Sequence, residues 1–396
     1  MPHCQTLDTR TGLVVYFVIT RVGYEEVASM IDTFVGRTAD SLPPEFDIIK
    51  TGRGYTMAGW DFSRAELAAA INAHQMLNPA MELGTNACPW NCSFCFTESP
   101  DNPDGAKRRL TNEMSIARRL QLIDEAAALG ARSINFVGAG EPTIDPNFWQ
   151  LIERMHLRHI TPIVYTEGAL RLTDRAFVQR LYDLGATVVF KVNSLHDEAY
   201  QNAIVAGDGV RKNPRSENYT ERRNAAIDLC MDIGFHRHDP TRLAFDTIVC
   251  AQNAGEIFDL HRFARRNNIF ILIVNYLPSG RSTDPLHGAL SRAEQFDLFA
   301  QLARVDREEF DLELASRFPY AGGTPCTIRG MGLFVKIGGR VLDCPGESES
   351  LGDLRENSLA EIWGRARHIT RALDGGCAPR EVAWAKQRKQ LSIERT

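Results

Sequence analysis

The chain has no long hydrophobic run. Across 396 residues the longest apolar stretches, 13-LVVYFVI-19 and 269-IFILIV-274, fall far short of the roughly 20 residues that span a bilayer. The first does not read as a signal peptide, because Asp8 precedes it and 20-TRVGYEE-26 follows with no small-residue cleavage pattern. Both read as buried strands, and a cytoplasmic protein without membrane association is expected. Excess positive charge is also missing. Lys and Arg number 45 against 50 Asp and Glu, a net charge of −5 that gives no pull toward nucleic acid. Cysteines number only nine, odd and unevenly clustered, which argues against a disulfide framework and for reduced thiols, some of them metal ligands.

From about residue 80 to 310 strand-like and helix-like stretches alternate. The candidate strands are 80-AMELGTNA-87, 133-SINFVGAG-140, 161-TPIVYTEG-168, 187-TVVFKVNS-194, 243-LAFDTIVC-250 and 270-FILIVNYL-277, each mostly apolar, as strands buried on both faces should be. Amphipathic helices are expected over 112–130, with Thr111 as N-cap, and over 174–184, 219–233, 256–267 and 291–303. Six β/α units in series predict an α/β fold with a parallel sheet, open or curled into a partial barrel, whose sites lie at the strands' C-terminal ends. Residues 1–79 read as an N-terminal α+β extension: a strand at 12–19, a helix near 24–35, the Pro-containing linker 37–46, a hairpin and a helix at 63–76. Residues 311–396 form a third unit, with a β-hairpin in 332-GLFVKIGGRVLDC-344 around Gly338-Gly339 and a helix over 358–369.

Three cysteines fall in 85-TNACPWNCSFCFTE-98, after the first strand of the alternating region. Cys88, Cys92 and Cys95 suit a [4Fe–4S] cluster with three corners held and one iron open; zinc or uncoordinated thiols are the alternatives on spacing alone. This stretch resembles the hallmark of the radical S-adenosylmethionine (SAM) superfamily, C-x3-C-x-φ-C ahead of a partial (β/α)6 barrel, with Phe94 at the aromatic position. The resemblance extends to 138-GAGEPT-143, which is similar to the family's glycine–glutamate motif. It implies that Gly140 and Glu141 receive the SAM ammonium and that Phe94 packs near the adenine. Asn193 and Ser194, in 191-KVNSL-195, would contact the SAM ribose and carboxylate, or else cap the next turn. In 166-TEGALRLTD-174 a glutamate, Glu167, stands where the family's pattern has asparagine, placing a carboxylate near the barrel mouth, as a cation-binding group or an exposed loop residue. The stretches 247–260 and 276–282 resemble the fifth and sixth strand ends of the branch that carries extra clusters.

Cys326, Cys344 and Cys377 are either dispersed core thiols or, by resemblance to the C-terminal "twitch" extension, a shortened SPASM domain, ligands of a second, auxiliary [4Fe–4S] cluster. Cys250, at the fifth strand end, is a structural thiol or a hydrogen-atom donor to a substrate radical; 236-HRH-238 reads as surface histidines, and Cys4 and Cys230 as structural. The implied reaction is reductive cleavage of SAM to a 5′-deoxyadenosyl radical, fed by an external donor such as flavodoxin or ferredoxin. A second cluster suits dehydrogenation of a small hydroxylated or amino metabolite (amino sugar, cyclitol or nucleoside). The alternative substrate is a ribosomally made precursor peptide, and an electron-transfer or redox-sensing iron–sulfur protein is the reading from another class.

Overall fold

The structure is a computed structural model that describes residues 55–95, 108–206, 216–275, 288, 290–312, 331–343 and 350–366. Cys4, Cys326, Cys344 and Cys377, the expected strand at 12–19, helix at 24–35 and linker at 37–46, and the stretch 276–282 lie outside those residues.

Among the described residues nine strands form one sheet: β1 (Ala80–Gly84), β2 (Ser133–Gly138), β3 (Thr161–Thr166), β4 (Thr187–Lys191), β5 (Leu243–Val249), β6 (Phe270–Asn275), β7 (Phe334–Val335), β8 (Arg340–Leu342) and β9 (Ser350–Asp353). Their spatial order is β6-β5-β4-β3-β2-β1-β7-β8-β9; β1 to β6 run parallel in sequence order, β7 pairs parallel with β1, and β7, β8 and β9 are antiparallel. Sequential order without a reversal means that every crossover advances the same way, so the right-handed connections put the helices on one face and the sheet curls toward a barrel. All six parallel strands match those read from the sequence.

The helices are α1 (Arg64–Ala73), α2 (Ile116–Ala128), α3 (Phe148–Leu157), α4 (Arg175–Asp183), α5 (Glu198–Ala206), α6 (Tyr219–Ile233), α7 (Ile257–Arg266), α8 (Arg292–Phe310) and α9 (Leu359–Arg365). Two of them, α3 and α5, were not anticipated. The expected cap Thr111 is corrected: Ser115 caps α2, its Oγ accepting from Arg118 N at 3.2 Å. The segment before it is diverted because Glu113 accepts from Thr85 Oγ1, Asn86 N and Leu110 N, holding it extended against the loop after β1. Among the described residues no helix is long and apolar enough to cross a membrane.

Side chains alternate across the sheet. Met81, Ile134, Phe136, Val164, Val188, Phe190, Leu243, Phe245 and Ile271 face the helices in the main core, while Ile163, Val189, Ala244, Phe270 and Leu272 cluster on the opposite, concave face. Residues 57–60, read from the sequence as part of the extension, close the concave face at the strands' N-terminal ends. Met57 bridges Thr241, Trp60 Nε1 donates to Asn135 Oδ1 at 2.9 Å, and Ser133 and Thr187 hydroxyls donate to the carbonyls of Gly59 and Ala58. Helix α1 then stacks His74 on Trp363 of α9, whose Nε1 donates to His74 O at 2.7 Å. These contacts cap the sheet at the strands' N-terminal ends, and the loops that follow the strands lie at the other end.

Candidate active site

The loop after β1 is held before its first cysteine is reached. Asp145 Oδ2 accepts from Thr85 N at 2.7 Å and from Arg119 at 2.8 Å, and Arg119 also donates to Leu83 O; both charged side chains are 1% exposed. Two backbone bonds, Gly140 N to Thr85 O and Glu141 N to Ala87 O, then lay the 138-GAGE-141 turn alongside. The glycines are sterically required here. A Cβ on Gly140 would sit 2.1 Å from Ala87 O and 2.4 Å from Asn86 O, and one on Gly138 would sit 1.9 Å from Gly140 O. Cys88 and Glu141 are thereby fixed as neighbours.

Beyond Cys88 the loop leans on α5 and α6. Asn91 N and Ser93 N donate to Val205 O and Ile204 O, and Cys95 N turns back to Cys92 O. Trp90 meets Tyr219 edge-on, with ring centroids 5.0 Å apart. Trp90, Phe94, Ala169, Tyr219 and Cys250 form one buried cluster, with Cys88 and Cys92 packed against it. Cys88, Cys92 and Cys95 are half-buried, unbridged thiols. Burial pushes the Cys88 thiol well up, and the neighbouring Cys92 and Glu141 add to it. Loading a metal centre would therefore release its proton. Three soft thiols reaching the surface of one loop, beside a turn where only glycine fits, suit an iron–sulfur cluster.

Glu141 is buried and almost saturated. Oε1 accepts from Thr143 N, Thr143 Oγ1 and Thr166 Oγ1, and Oε2 from Glu167 N at 3.1 Å. Burial nevertheless raises its carboxyl above the usual range, and Oε2 keeps acceptor capacity for one further donor. Glu167 is 8% exposed, so it is not the exposed loop glutamate that the sequence left open. Its Oε2 accepts from Ala169 N at 2.8 Å, and the Trp90 indole N–H also faces the carboxyl. Burial, and then the Glu141 carboxylate, push its pKa up to about 8. Both causes favour the neutral carboxyl over the carboxylate.

At the β4 end, Asn193 Oδ1 accepts from Ile248 N at 3.1 Å, and Asn193 Nδ2 is buried with no acceptor among the described residues. Ser194 Oγ caps the turn before α5, accepting from Asp197 N at 2.8 Å. Cys250 is buried, its Sγ 3.1 Å from Tyr200 Oη, and Asn253 Oδ1 accepts from its backbone N. His238 lies 3.0 Å from Tyr182 Oη through Nε2. Sequence reading missed a pair on the concave face: Lys191 Nζ lies 3.1 Å from Asp246 Oδ2, both about one-fifth exposed, and 5.3 Å from the Phe94 ring centre. The signal was there, in charged residues one position off the helix-facing alternation of two buried strands.

Residues 83–264 match the model of the radical SAM superfamily. Residues 83–264 form a radical SAM domain. A cofactor-modifying protein of a tungsten-containing aldehyde ferredoxin oxidoreductase, from Pyrococcus furiosus, is 23% identical over 307 residues, 72% of this chain and 80% of that one. The mycofactocin maturase MftC of Mycolicibacterium smegmatis is 25% identical over 211 residues, 53% of this chain and 47% of MftC, so the chain spans about half the length of that relative. In fold it is similar to Streptococcus suis SuiB bound to S-adenosylmethionine, with TM-score 0.54 and 16% identity over 76% of this chain and 69% of SuiB.

Proposed function

We propose that this radical SAM enzyme oxidises a small hydroxylated or amino metabolite at the concave mouth of the sheet. Cys88, Cys92 and Cys95 would hold the [4Fe–4S] cluster that binds SAM, and Cys326, Cys344 and Cys377 an auxiliary [4Fe–4S] cluster that takes the second electron. When bound, cluster and SAM supply a 5′-deoxyadenosyl radical that abstracts hydrogen; the chain binds, orients and excludes water. The observation that carries the reading is the interlock of the Cys88 loop with the glycine–glutamate turn, which sets Cys88, the first of the three thiols, beside a carboxylate with one open acceptor position. That acceptor suits an ammonium. Asn193 Nδ2 offers a donor to a carboxylate or ribose hydroxyl, and Phe94 an aromatic surface. Lys191 and Asp246 present opposite charges to the amine and hydroxyl groups of a polar substrate. The buried Cys250 thiol, against Tyr200, stands as a hydrogen-atom donor or a packing group. An external flavodoxin or ferredoxin would deliver the first electron.

Anaerobic reconstitution tests this. About eight irons per chain, falling to about four in the Cys88/Cys92/Cys95→Ala triple variant, are expected, with 5′-deoxyadenosine released from SAM on reduction. A zinc-loaded, colourless protein ends the proposal. The second reading, modification of a ribosomally made peptide, is favoured by likeness to proteins named as maturases. Co-purification of a short precursor peptide would select it; turnover of amino sugars or cyclitols would select the first.

A further inference from the structure

Arg223, on α6, is a fully buried cation, and among the described residues no carboxylate accepts a hydrogen bond from it. Its guanidinium reaches the polar turn that ends β4, donating to Lys191 O at 3.2 Å and Ser194 O at 2.7 Å. It also donates to Gln201 Oε1 at 3.3 Å. Gln201, on α5 and equally buried, uses that same oxygen to accept from Asn193 N at 2.9 Å and Ser194 N at 3.1 Å.

Burying an unpaired cation costs several kcal/mol, and an apolar side chain of similar volume would brace the helix against the sheet more stably. The arrangement does something that an apolar brace does not. A planar fork on two carbonyls three residues apart sets the span of the turn, and one oxygen draws both intervening amides inward. With the amides of Asn193 and Ser194 consumed, the donors that the turn can offer a ligand are side-chain ones. One of them, Asn193 Nδ2, is 99% buried by residue and lacks an acceptor while Oδ1 is pinned by Ile248 N.

We propose that Arg223 and Gln201 are positioning residues for cosubstrate binding, holding the 191–194 turn so that Asn193 Nδ2 presents a pre-oriented donor to an oxygen of SAM. The inference rests on the functional reading above. The test uses the full-length reconstituted protein, its Gln201→Met, Arg223→Met and Arg223→Lys variants, and labelled SAM in equilibrium dialysis. The two Met variants are expected to weaken SAM binding about tenfold or more, with iron per chain unchanged and with Lys recovering part of the loss. At saturating SAM, 5′-deoxyadenosine release should stay within about threefold of the parent, so that the loss falls in KM rather than kcat. In the cluster-free protein, hydrogen exchange at the Asn193 and Ser194 amides should quicken by about 100-fold in Gln201→Met. Quickened exchange with an unchanged SAM Kd in Gln201→Met reduces the pair to a structural brace and overturns the inference. If Arg223→Met does not fold, Gln201→Met alone decides. A parent protein that loads iron but binds no SAM removes the functional reading and this inference together; a parent that binds SAM no better than its variants removes the inference alone.

Discussion

The two ends of the parallel sheet are built differently. At the floor, Trp60, Asn78, Ser133, Asn135 and Thr187 all place their polar atoms on partners, through neutral bonds of 2.6 to 2.9 Å. At the mouth, Asn193 Nδ2 and Gln201 Nε2 are buried with no hydrogen-bond partner among the described residues, and two carboxyls are packed where burial raises both pKa values. Same strands, opposite economies. Polar groups that folding alone would satisfy are left open at the end where ligands enter, as expected where function is bought with local stability.

The contrast can be broken or sharpened. The largest effect is expected at Gly140, where Gly140→Ala forces a methyl into two backbone carbonyls; SAM cleavage should fall by more than about 100-fold, read as 5′-deoxyadenosine per cluster. Arg119→Met leaves Asp145 charged and buried under the cysteine loop, and should cost about 3–5 kcal/mol of unfolding free energy in urea. Trp60→Phe at the floor removes the donor to buried Asn135 Oδ1 and should cost about 1–3 kcal/mol while leaving SAM affinity unchanged. A mouth-like loss of SAM binding there would erase the distinction between the two ends.

A pH experiment addresses Glu167. Its folded pKa, up at about 8, lies above that of an exposed carboxylate, so between about pH 4.5 and 8 the folded state holds the extra proton and stability falls as pH rises. Glu167→Gln, which keeps the neutral shape, should flatten that slope in denaturation curves and be at least as stable as the parent at pH 8. An unchanged slope would show the carboxyl to be ionised. The smallest effect is expected at a helix end: Ser358→Ala removes the capping box of α9 for about 1 kcal/mol, seen in melting temperature and not in SAM binding.

The parallel strands were legible because burial on both faces makes them apolar throughout, and α4 and α7 because their stripes recur at helical spacing. Helix α3 escaped notice behind the Pro142–Ile144 turn, and α5 because its mixed stretch follows a polar turn. The floor role of 57–60 was illegible, since nothing local in that short, glycine-containing stretch names the strand ends it caps.

What the sequence determined by itself was the chemistry: three cysteines at fixed spacing, followed at the next strand end by glycines and a glutamate, carry their meaning in order and composition. What the tertiary structure decided was environment. Whether Glu167 is exposed or buried, whether Lys191 meets Asp246, and whether Arg223 finds an anion or a pair of carbonyls depend on contacts between residues 29 to 55 positions apart. Burial and charge pairing are properties of the packed chain, because solvent exclusion and Coulomb attraction act through space and leave no mark on local sequence.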